Sequence, residues 1–307
     1  MKRGFDSKKY VKAQREAILK RIKKFDRLYL EFGGKLLYDG HASRVLPGYD
    51  PKLKIKLLDK LKDKEIIYCV GAKNIQSGQR LGDSGLTHDK QALKEMKELG
   101  IKKLIITRYE NQPKVKEFIK KLDKLKIKYY LHREIKNYLK NAAKELKKQP
   151  YVDVDKKLII VTSVGSGSGK MSFCMSQILH EKNAGFAKFE TFPIWNLPLD
   201  HPVNIAYEAA TADFGDYNIL IGKKVNYNRD VENFKILKKI TGNAFGYKNP
   251  VDMGVNMAKE GIIDDKICRE AAKKEIVRRY KFYSDEFKKG REKRKTLVRI
   301  REIIQKI

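Results

Sequence analysis

A glycine-rich turn is the part of the chain best suited to chemistry. It occupies residues 164–170, between an apolar strand predicted over 157–162 and a helix predicted to begin near Met171. Glycines let backbone amides and a helix N-terminus converge on an anion, and a following lysine adds a point charge for a phosphate. We therefore predict a phosphate site, with contacts from Gly165, Ser166, Gly167, Ser168, Gly169, Lys170 and Ser172.

The turn differs from the nucleotide-binding P-loop, G-x-x-x-x-G-K-S/T, at two positions. Val164 stands where the first glycine belongs, and Met171 stands where the magnesium-binding hydroxyl belongs. The turn thus predicts phosphate binding without predicting ATP hydrolysis. Lys170 and Asp213 are the predicted catalytic residues, because the lysine would stabilise charge developing on a phosphate. Asp213 or Glu190 would hold Mg²⁺, since hard cations prefer carboxylate oxygens, and the implied cofactor is ATP or GTP with Mg²⁺.

Other polar residues follow other predicted strands, where ligands bind in doubly wound sheets. His41 and Arg44 could grip a carboxylate or phosphate, or they could be solvated loop residues. The connection over 71–88, which contains Arg80, has the length of a binding loop. Two asparagine-rich segments, 225–230 and 249–258, are predicted to be turns at the site. The predicted substrate-binding residues are Lys35, His41, Arg44, Arg80, Glu190, Asn196, His201, Asn204, Arg229, Asp252 and Asn256.

The segment 189–204 is unusual in composition. It holds the only tryptophan and three of the 8 prolines, interleaved with amide and carboxyl side chains. Rigid loops of this kind suit a pocket for a base or sugar, although a packed connection whose Asp200 caps the next helix would look the same. A zinc protease is not indicated, because the sequence that begins His180-Glu181 has Ala184 where the second zinc histidine must stand.

Short apolar runs alternate with amphipathic helices along the chain. Strands are predicted over 27–32, 65–70, 103–107, 128–132, 157–162, 186–192 and 217–221. The pattern predicts an α/β fold with a doubly wound, mostly parallel sheet, Rossmann-like or P-loop-like, and a basic helical C-terminal tail. The predicted division is an α/β domain over 1–150, a second α/β domain with the phosphate turn over 151–283, and the tail over 284–307. One continuous sheet would give the same sequence pattern.

The composition leaves a second function open. Lys+Arg number 69 against 38 Asp+Glu, so the formal net charge is +31, which is compatible with a nucleic-acid or polyanion partner. The lysines are spread along helices, for example over 113–126 and 135–148, as on solvated faces. A phosphorylated small molecule is therefore the favoured partner, and a catalytically inactive NTPase-like scaffold is a third alternative. Three dispersed cysteines and no transmembrane segment predict a cytoplasmic protein.

Several segments resemble one bacterial protein family in amino-acid sequence. They are LEFGGKL from Leu30, HASRVLPG from His41, GSGSGKM from Gly165, the run AKFETFPIWNLPLDHPVNIAYEAATAD from Ala187, VNYNRDVE from Val225 and DMGVNMA from Asp252. Together they are similar to domain-of-unknown-function family eighteen forty-six, over about residues 5–280. The resemblance implies a cytoplasmic α/β protein, sometimes labelled an ATP-dependent peptidase. It also implies that typical members continue into a further C-terminal domain, which we expect to be missing here.

Overall fold

The structure, a computed structural model, describes most of the chain. The described residues are 3–33, 35–78, 80, 81, 84–165, 167–189, 197, 198, 200–210, 225–290 and 292–305, and the side chains of Glu208 and of residues 225–228 are not described. The predicted strand over 217–221 lies outside these residues. All statements about absent contacts below refer to the described part.

Six parallel strands form one sheet. The strand order is β4-β3-β2-β5-β1-β6, and every neighbouring pair is parallel. The predicted α/β class and the parallel sheet are therefore confirmed. Strands from both sides of residue 150 share this sheet, and the division into two domains stays a prediction. The strands are β1 (Arg27–Phe32), β2 (Lys64–Gly71), β3 (Lys103–Tyr109), β4 (Lys128–Arg133), β5 (Leu158–Ser163) and β6 (Ala184–Phe189).

Helices cover both faces of the sheet, which explains why the central strands are mostly apolar. All six residues of β5 are buried. The helices are α1 (Ser7–Ile22), α2 (Gly40–Val45), α3 (Leu53–Lys60), α4 (Ala72–Ser77), α5 (His88–Leu99), α6 (Pro113–Lys124), α7 (Tyr138–Glu145), α8 (Lys170–Ile178), α9 (Pro202–Ala210), α10 (Val225–Thr241), α11 (Ala258–Gly261), α12 (Asp265–Lys288) and α13 (Arg294–Ile304).

The alternation of side chains along each strand divides the core. Leu28 and Leu30 of β1 pack in a core with α1, α3, α9, α11, α12 and α13. Tyr29 points to the opposite face and packs with α7, α8 and α10. A third core joins Tyr68 of β2 to α4, α5 and α6. The turn and the charged groups described below lie on the face of α8 and α10.

Four helical segments differ from the sequence predictions. Helix α1 was not predicted; Asp6 caps it by accepting from the amides of Lys8 and Lys9. Helix α4 lies in the predicted long loop after β2, and it is only 6 residues long, too short for its periodicity to be recognised. Helix α7 begins after Asn137, whose φ of 50° interrupts the predicted helix over 134–148. Helix α10 includes 225–230, a segment predicted to be a turn.

The predicted tail over 284–307 contains the end of α12 and all of α13. Ile300 and Ile303 of α13 are buried in the core that lies against β1. This part of the chain is thus packed against the domain.

Candidate functional site at the carboxyl edge of the sheet

The glycine-rich turn lies where the chain connections diverge. β5 lies between β2 and β1; β2 continues to β3 on one side, whereas β5 continues to β6 on the other. Connections that leave neighbouring strands in opposite directions open a crevice at the carboxyl ends, which is where α/β sheets bind ligands. A Cβ atom on Gly71, the last residue of β2, would lie 3.5 Å from the carbonyl oxygen of Gly167. The turn therefore packs directly on the end of β2.

Internal hydrogen bonds fix the shape of the turn. The buried ammonium of Lys170 donates to Ser163 Oγ at 3.0 Å and to the carbonyl oxygen of Gly165 at 3.1 Å. Ser168 Oγ donates to the same carbonyl at 3.0 Å, and Thr107 Oγ1 of β3 donates to the carbonyl of Ser168 at 2.9 Å. Lys170 thus contacts the turn itself, and direct contact of its ammonium with a ligand stays a prediction.

The backbone of the turn leads into α8 through two left-handed glycines. Gly167 has a φ of 74° and Gly169, the residue before the helix, has a φ of 75°. No side chain among the described residues caps α8, so no cap competes for the first amides of the helix. A Cβ on Gly165 would meet nothing within 4 Å, whereas Ser172 is half-buried in the first turn of α8. The turn therefore combines helix amides with open space over Gly165, an arrangement that suits an anion.

A row of buried charged groups lies beside the turn. Glu31 of β1 and Lys188 of β6 are direct partners in the sheet register, and Lys188 forms a buried ion pair with Asp230 of α10. Glu31 Oε2 is buried and has no hydrogen-bond partner among the described residues. Burial lowers the pKa of Lys170, while the charge of Glu31 acts to raise it. Burial raises the pKa of Asp230, against the opposing effect of Lys188. These charges are therefore arranged to compensate one another.

Arg229 is a predicted substrate-binding residue next to this row, because it directly precedes Asp230 on α10. It is half-buried, and its charge acts to lower the pKa of Lys170 and opposes the rise in the pKa of Asp230. Arg229 thus adjoins the buried ion pair of Asp230 with Lys188 along the chain.

His41 and Arg44 do hold a carboxylate, but it belongs to the protein. His41 Nδ1 lies 3.2 Å from Glu275 Oε1, and Arg44 Nε donates to Glu275 Oε2 at 2.9 Å. Lys35 is exposed overall, but desolvation of its ammonium lowers its pKa. The charges of Arg279 and Arg44 act in the same direction. These residues form a separate cationic cluster between α2 and α12.

The other described candidates make local bonds. Arg80 donates to the carbonyl of Gly85 within its own loop, at 3.0 Å. His201 Nδ1 accepts from the amide of Val203, and its Nε2 lies 2.8 Å from Asp265 Oδ1. At these positions the structural role that each residue type commonly plays, capping or bracing a turn, is the one observed.

The amide side chains and Asp252 also brace the backbone. Asn204 Nδ2 donates to the carbonyl of Pro198 at 2.5 Å. Asp252 accepts from the amides of Lys248 and Asn249 in a capping box, and Asn256 Oδ1 accepts from the amide of Ala258 at 2.9 Å. Asn204 Oδ1 and Asn256 Nδ2 are buried without a partner among the described residues. Their predicted contact with a substrate stays a prediction.

Four predicted site residues lie outside the described part of the chain. They are Ser166, Glu190, Asn196 and Asp213. Within the described ranges, no group of three or more His, Cys, Asp or Glu side chains is placed to hold a metal ion. The Mg²⁺ predicted at Asp213 or Glu190 therefore stays a prediction.

Sequence reasoning missed the buried charges Glu31, Lys188 and Glu275, whereas Asp230 ends the segment 225–230 that was predicted to lie at the site. A signal existed for two of the missed residues: Glu31 and Lys188 interrupt the apolar strands LYLEF and GFAKF, which are buried on both faces. A charge in such a strand is costly unless it is compensated, so it marks a polar cluster. Glu275 lies on a helix that carries many other charged residues, and nothing in its local sequence distinguishes it.

No helix in the described part of the chain has the length and apolarity needed to cross a lipid bilayer.

The chain is similar in sequence to curated UPF0371 proteins from Clostridium. A UPF0371 protein of Clostridium tetani (strain Massachusetts / E88) is 46% identical over 334 aligned positions, and UPF0371 proteins of Clostridium botulinum strains Alaska E43 and Kyoto are each 45% identical. Each alignment covers 100% of this chain and 66% of the relative, so the chain spans about two thirds of the length of these curated relatives. The profile of "Domain of unknown function DUF1846, N-terminal" matches residues 3–307. The chain belongs to this family.

Proposed function

We propose that the protein binds a nucleotide or another phosphorylated small molecule over the turn formed by residues 163–170. The observation that carries the proposal is the position of this turn. It lies at the divergence of the connections after β2 and β5, it leads into α8 without a side-chain cap among the described residues, and open space lies over Gly165. A phosphate there would accept from the first amides of α8, where the helix dipole also favours negative charge.

The neighbouring charges support a phosphate over a neutral ligand. Lys170 braces the turn, and the charge of Arg229 acts to lower the pKa of Lys170. Lys170 and Arg229 therefore add positive potential at the turn, and the charge of Glu31 opposes it. Phosphoryl or nucleotidyl transfer is the reaction class that we propose for an active enzyme, with Lys170 stabilising developing charge and Asp213 as the second catalytic residue. Binding without turnover would support the scaffold alternative.

A pair of isosteric substitutions at Gly165 tests the binding site. An aspartate or an asparagine fits there equally, since a Cβ would meet no atom of the described residues within 4 Å, but only Gly165→Asp adds a negative charge to the turn. Two unit charges about 4 Å apart repel each other by about 1 kcal/mol in water and about 4 kcal/mol near a protein surface. Titration calorimetry with ATP, GTP and pyrophosphate should therefore show at least about tenfold weaker binding to Gly165→Asp than to Gly165→Asn.

Lys170→Met provides a second test with a different readout. The methionine keeps the apolar stem but removes the hydrogen bonds to Ser163 Oγ and the Gly165 carbonyl, so the turn should lose its fixed shape and affinity should fall. Circular dichroism and urea unfolding would confirm that the variant remains folded. Absence of binding to all three probes, or equal binding by Gly165→Asp and Gly165→Asn, would refute the proposed site.

A further inference from the structure

The carboxylate of Glu275 on α12 is surrounded by cationic side chains. Arg44 Nε donates to Oε2 at 2.9 Å, Arg278 donates to both oxygens at 2.5 and 2.7 Å, and Arg279 Nε donates to Oε1 at 3.1 Å. His41 Nδ1 lies 3.2 Å from Oε1. The side chain of Glu275 is only 1% exposed. Burial acts to raise its pKa, but the hydrogen bonds from Arg278, His41 and Arg44 outweigh burial and hold that pKa far below its ordinary value.

The cluster carries more positive charge than its carboxylate can compensate. Three guanidinium groups contact one carboxylate, and Arg44 and Arg278 keep 42% and 45% of their side chains exposed to solvent. The charges of Arg279 and Arg44 also contribute to lowering the pKa of Lys35, which shows that its ammonium lies in the same positive field. A carboxylate has about four lone-pair sites, and the three arginines donate four hydrogen bonds to Glu275, so its oxygens are satisfied. Three positive charges nevertheless face one negative charge, and this excess favours a further anion.

A shallow, solvent-open cavity adjoins the cluster along α12, and four of its five lining residues are cationic. It measures about 380 Å³ and is lined by Lys273, Lys274, Val277, Arg278 and Lys281. None of these lining residues is acidic. Arg278 belongs to both the cluster and the cavity, so the two form one continuous positive surface. We call this surface the α12 cationic site.

The arginines of the site are already oriented. Glu275 fixes Arg278 through two parallel hydrogen bonds and fixes Arg44 and Arg279 through their Nε atoms. The conformational entropy that a ligand would otherwise have to overcome is thus reduced before binding. The planar fork of a guanidinium matches the oxygens of a phosphate group in particular. A second copy of the same face is a poor occupant, because it would bring like charges together in a chain with a net charge of +31.

We propose that the α12 cationic site binds a small oligophosphate, independently of the turn at 163–170. More than one phosphate is required by the spacing of the cations. Lys274 and Lys281 lie seven residues apart on one helix, which corresponds to about 10 Å at a rise of about 1.5 Å per residue. Arg44, which lies on α2, extends the positive surface beyond α12. A single phosphate would leave most of these cations without a counter-charge.

Calorimetric titration with inorganic tripolyphosphate and orthophosphate tests the site. The variants are Arg278→Gln and Lys281→Gln in the site, with Lys288→Gln as the matched control, a lysine of the same helix outside the cavity. We expect tripolyphosphate to bind wild type at least tenfold more tightly than orthophosphate. Arg278→Gln and Lys281→Gln should each weaken tripolyphosphate binding at least fivefold. The control, Lys288→Gln, should weaken it by less than twofold. Glu275 keeps Arg44, Arg279 and His41 in Arg278→Gln, so this variant should fold.

Three results would overturn the inference. The first is no tripolyphosphate binding by a folded wild type, and the second is an equal loss in Lys281→Gln and Lys288→Gln, which would indicate only a response to net charge. The third is tighter binding of a single-stranded RNA with the same dependence on Arg278, which would make a nucleic acid the ligand. Gly165→Asp should leave tripolyphosphate binding at this site unchanged, so failure of this inference and failure of the proposed function are distinguishable.

Discussion

Replacing Gly169 by alanine should destabilise the protein by two separable effects. Its φ of 75° lies in the left-handed region, which costs a non-glycine residue about 1–2 kcal/mol. A Cβ there would also lie 2.8 Å from Thr107 Cβ and 2.9 Å from Thr107 Cγ2. Forcing extra volume into a packed site costs about 1–3 kcal/mol, whereas the lower entropy of the unfolded alanine chain returns about 0.4–1 kcal/mol. We therefore expect the free energy of unfolding to fall by about 3 kcal/mol.

Gly100→Ala is the matched control for this experiment. Gly100 has a similar φ of 64°, but a Cβ on it would meet nothing within 4 Å. This variant should therefore lose only about 1 kcal/mol, from the backbone effect alone. Urea unfolding followed by circular dichroism, with an unchanged dependence on denaturant, measures both values. Equal losses for the two glycines would show that β3 does not approach the turn as closely as described, and would refute the reasoning.

Three further predictions follow from buried groups. Lys188→Met should lower the free energy of unfolding by about 3–5 kcal/mol, because Asp230 loses the partner of its buried ion pair. Adding Asp230→Leu to this variant should restore most of the lost stability. A double variant that is as unstable as Lys188→Met would contradict the presence of this ion pair. Burial lowers the pKa of His132 from its ordinary 6.5 to about 4, so the folded state holds this imidazole neutral. The contribution of His132 to the free energy of unfolding should therefore be fully present above pH 6.5 and be lost as the pH falls from 6.5 to 4. An NMR titration of the imidazole with a midpoint near pH 6.5 would contradict this prediction. Burial raises the pKa of Cys268 to about 12, and all three cysteines are buried. Thiol reagents at pH 8 should therefore label the cysteines only after the protein unfolds. Fast labelling of the native protein would contradict this prediction.

The sequence contained enough information to predict most of the sheet. The bounds of β1 were predicted as observed, because an apolar run between charged residues specifies a strand that is buried on both faces. Short helices were harder: α4 has only 6 residues, and Ile75 and Ala72 are its only buried side chains. The sequence pattern also could not show that β5 lies between β2 and β1, because strand order depends on long-range packing.

Only the glycine-rich turn of the candidate site, which a few consecutive residues specify, was predicted from the sequence. Glycines and a following lysine predict an anion-binding turn from a few residues, and the structure places that glycine-rich turn at the carboxyl edge of the sheet. The partners of His41 and Arg44 could not be predicted, since Glu275 lies 231 residues from Arg44 along the chain. Such pairs depend on the docking of α12 against α2, which no local pattern encodes.

The position of β5 has a consequence for how the protein is made. β1 pairs only with β5 and β6, which begin at residues 158 and 184, although β1 itself begins at residue 27. During synthesis β2, β3 and β4 can pair as they emerge, but β1 lacks both of its neighbours in the sheet until residues 158–163 and 184–189 have been translated. Contacts between residues so far apart in sequence slow folding and leave aggregation-prone intermediates with exposed hydrophobic surface. The nascent chain is therefore most exposed to aggregation, and most in need of a chaperone, before β5 enters the gap between β2 and β1.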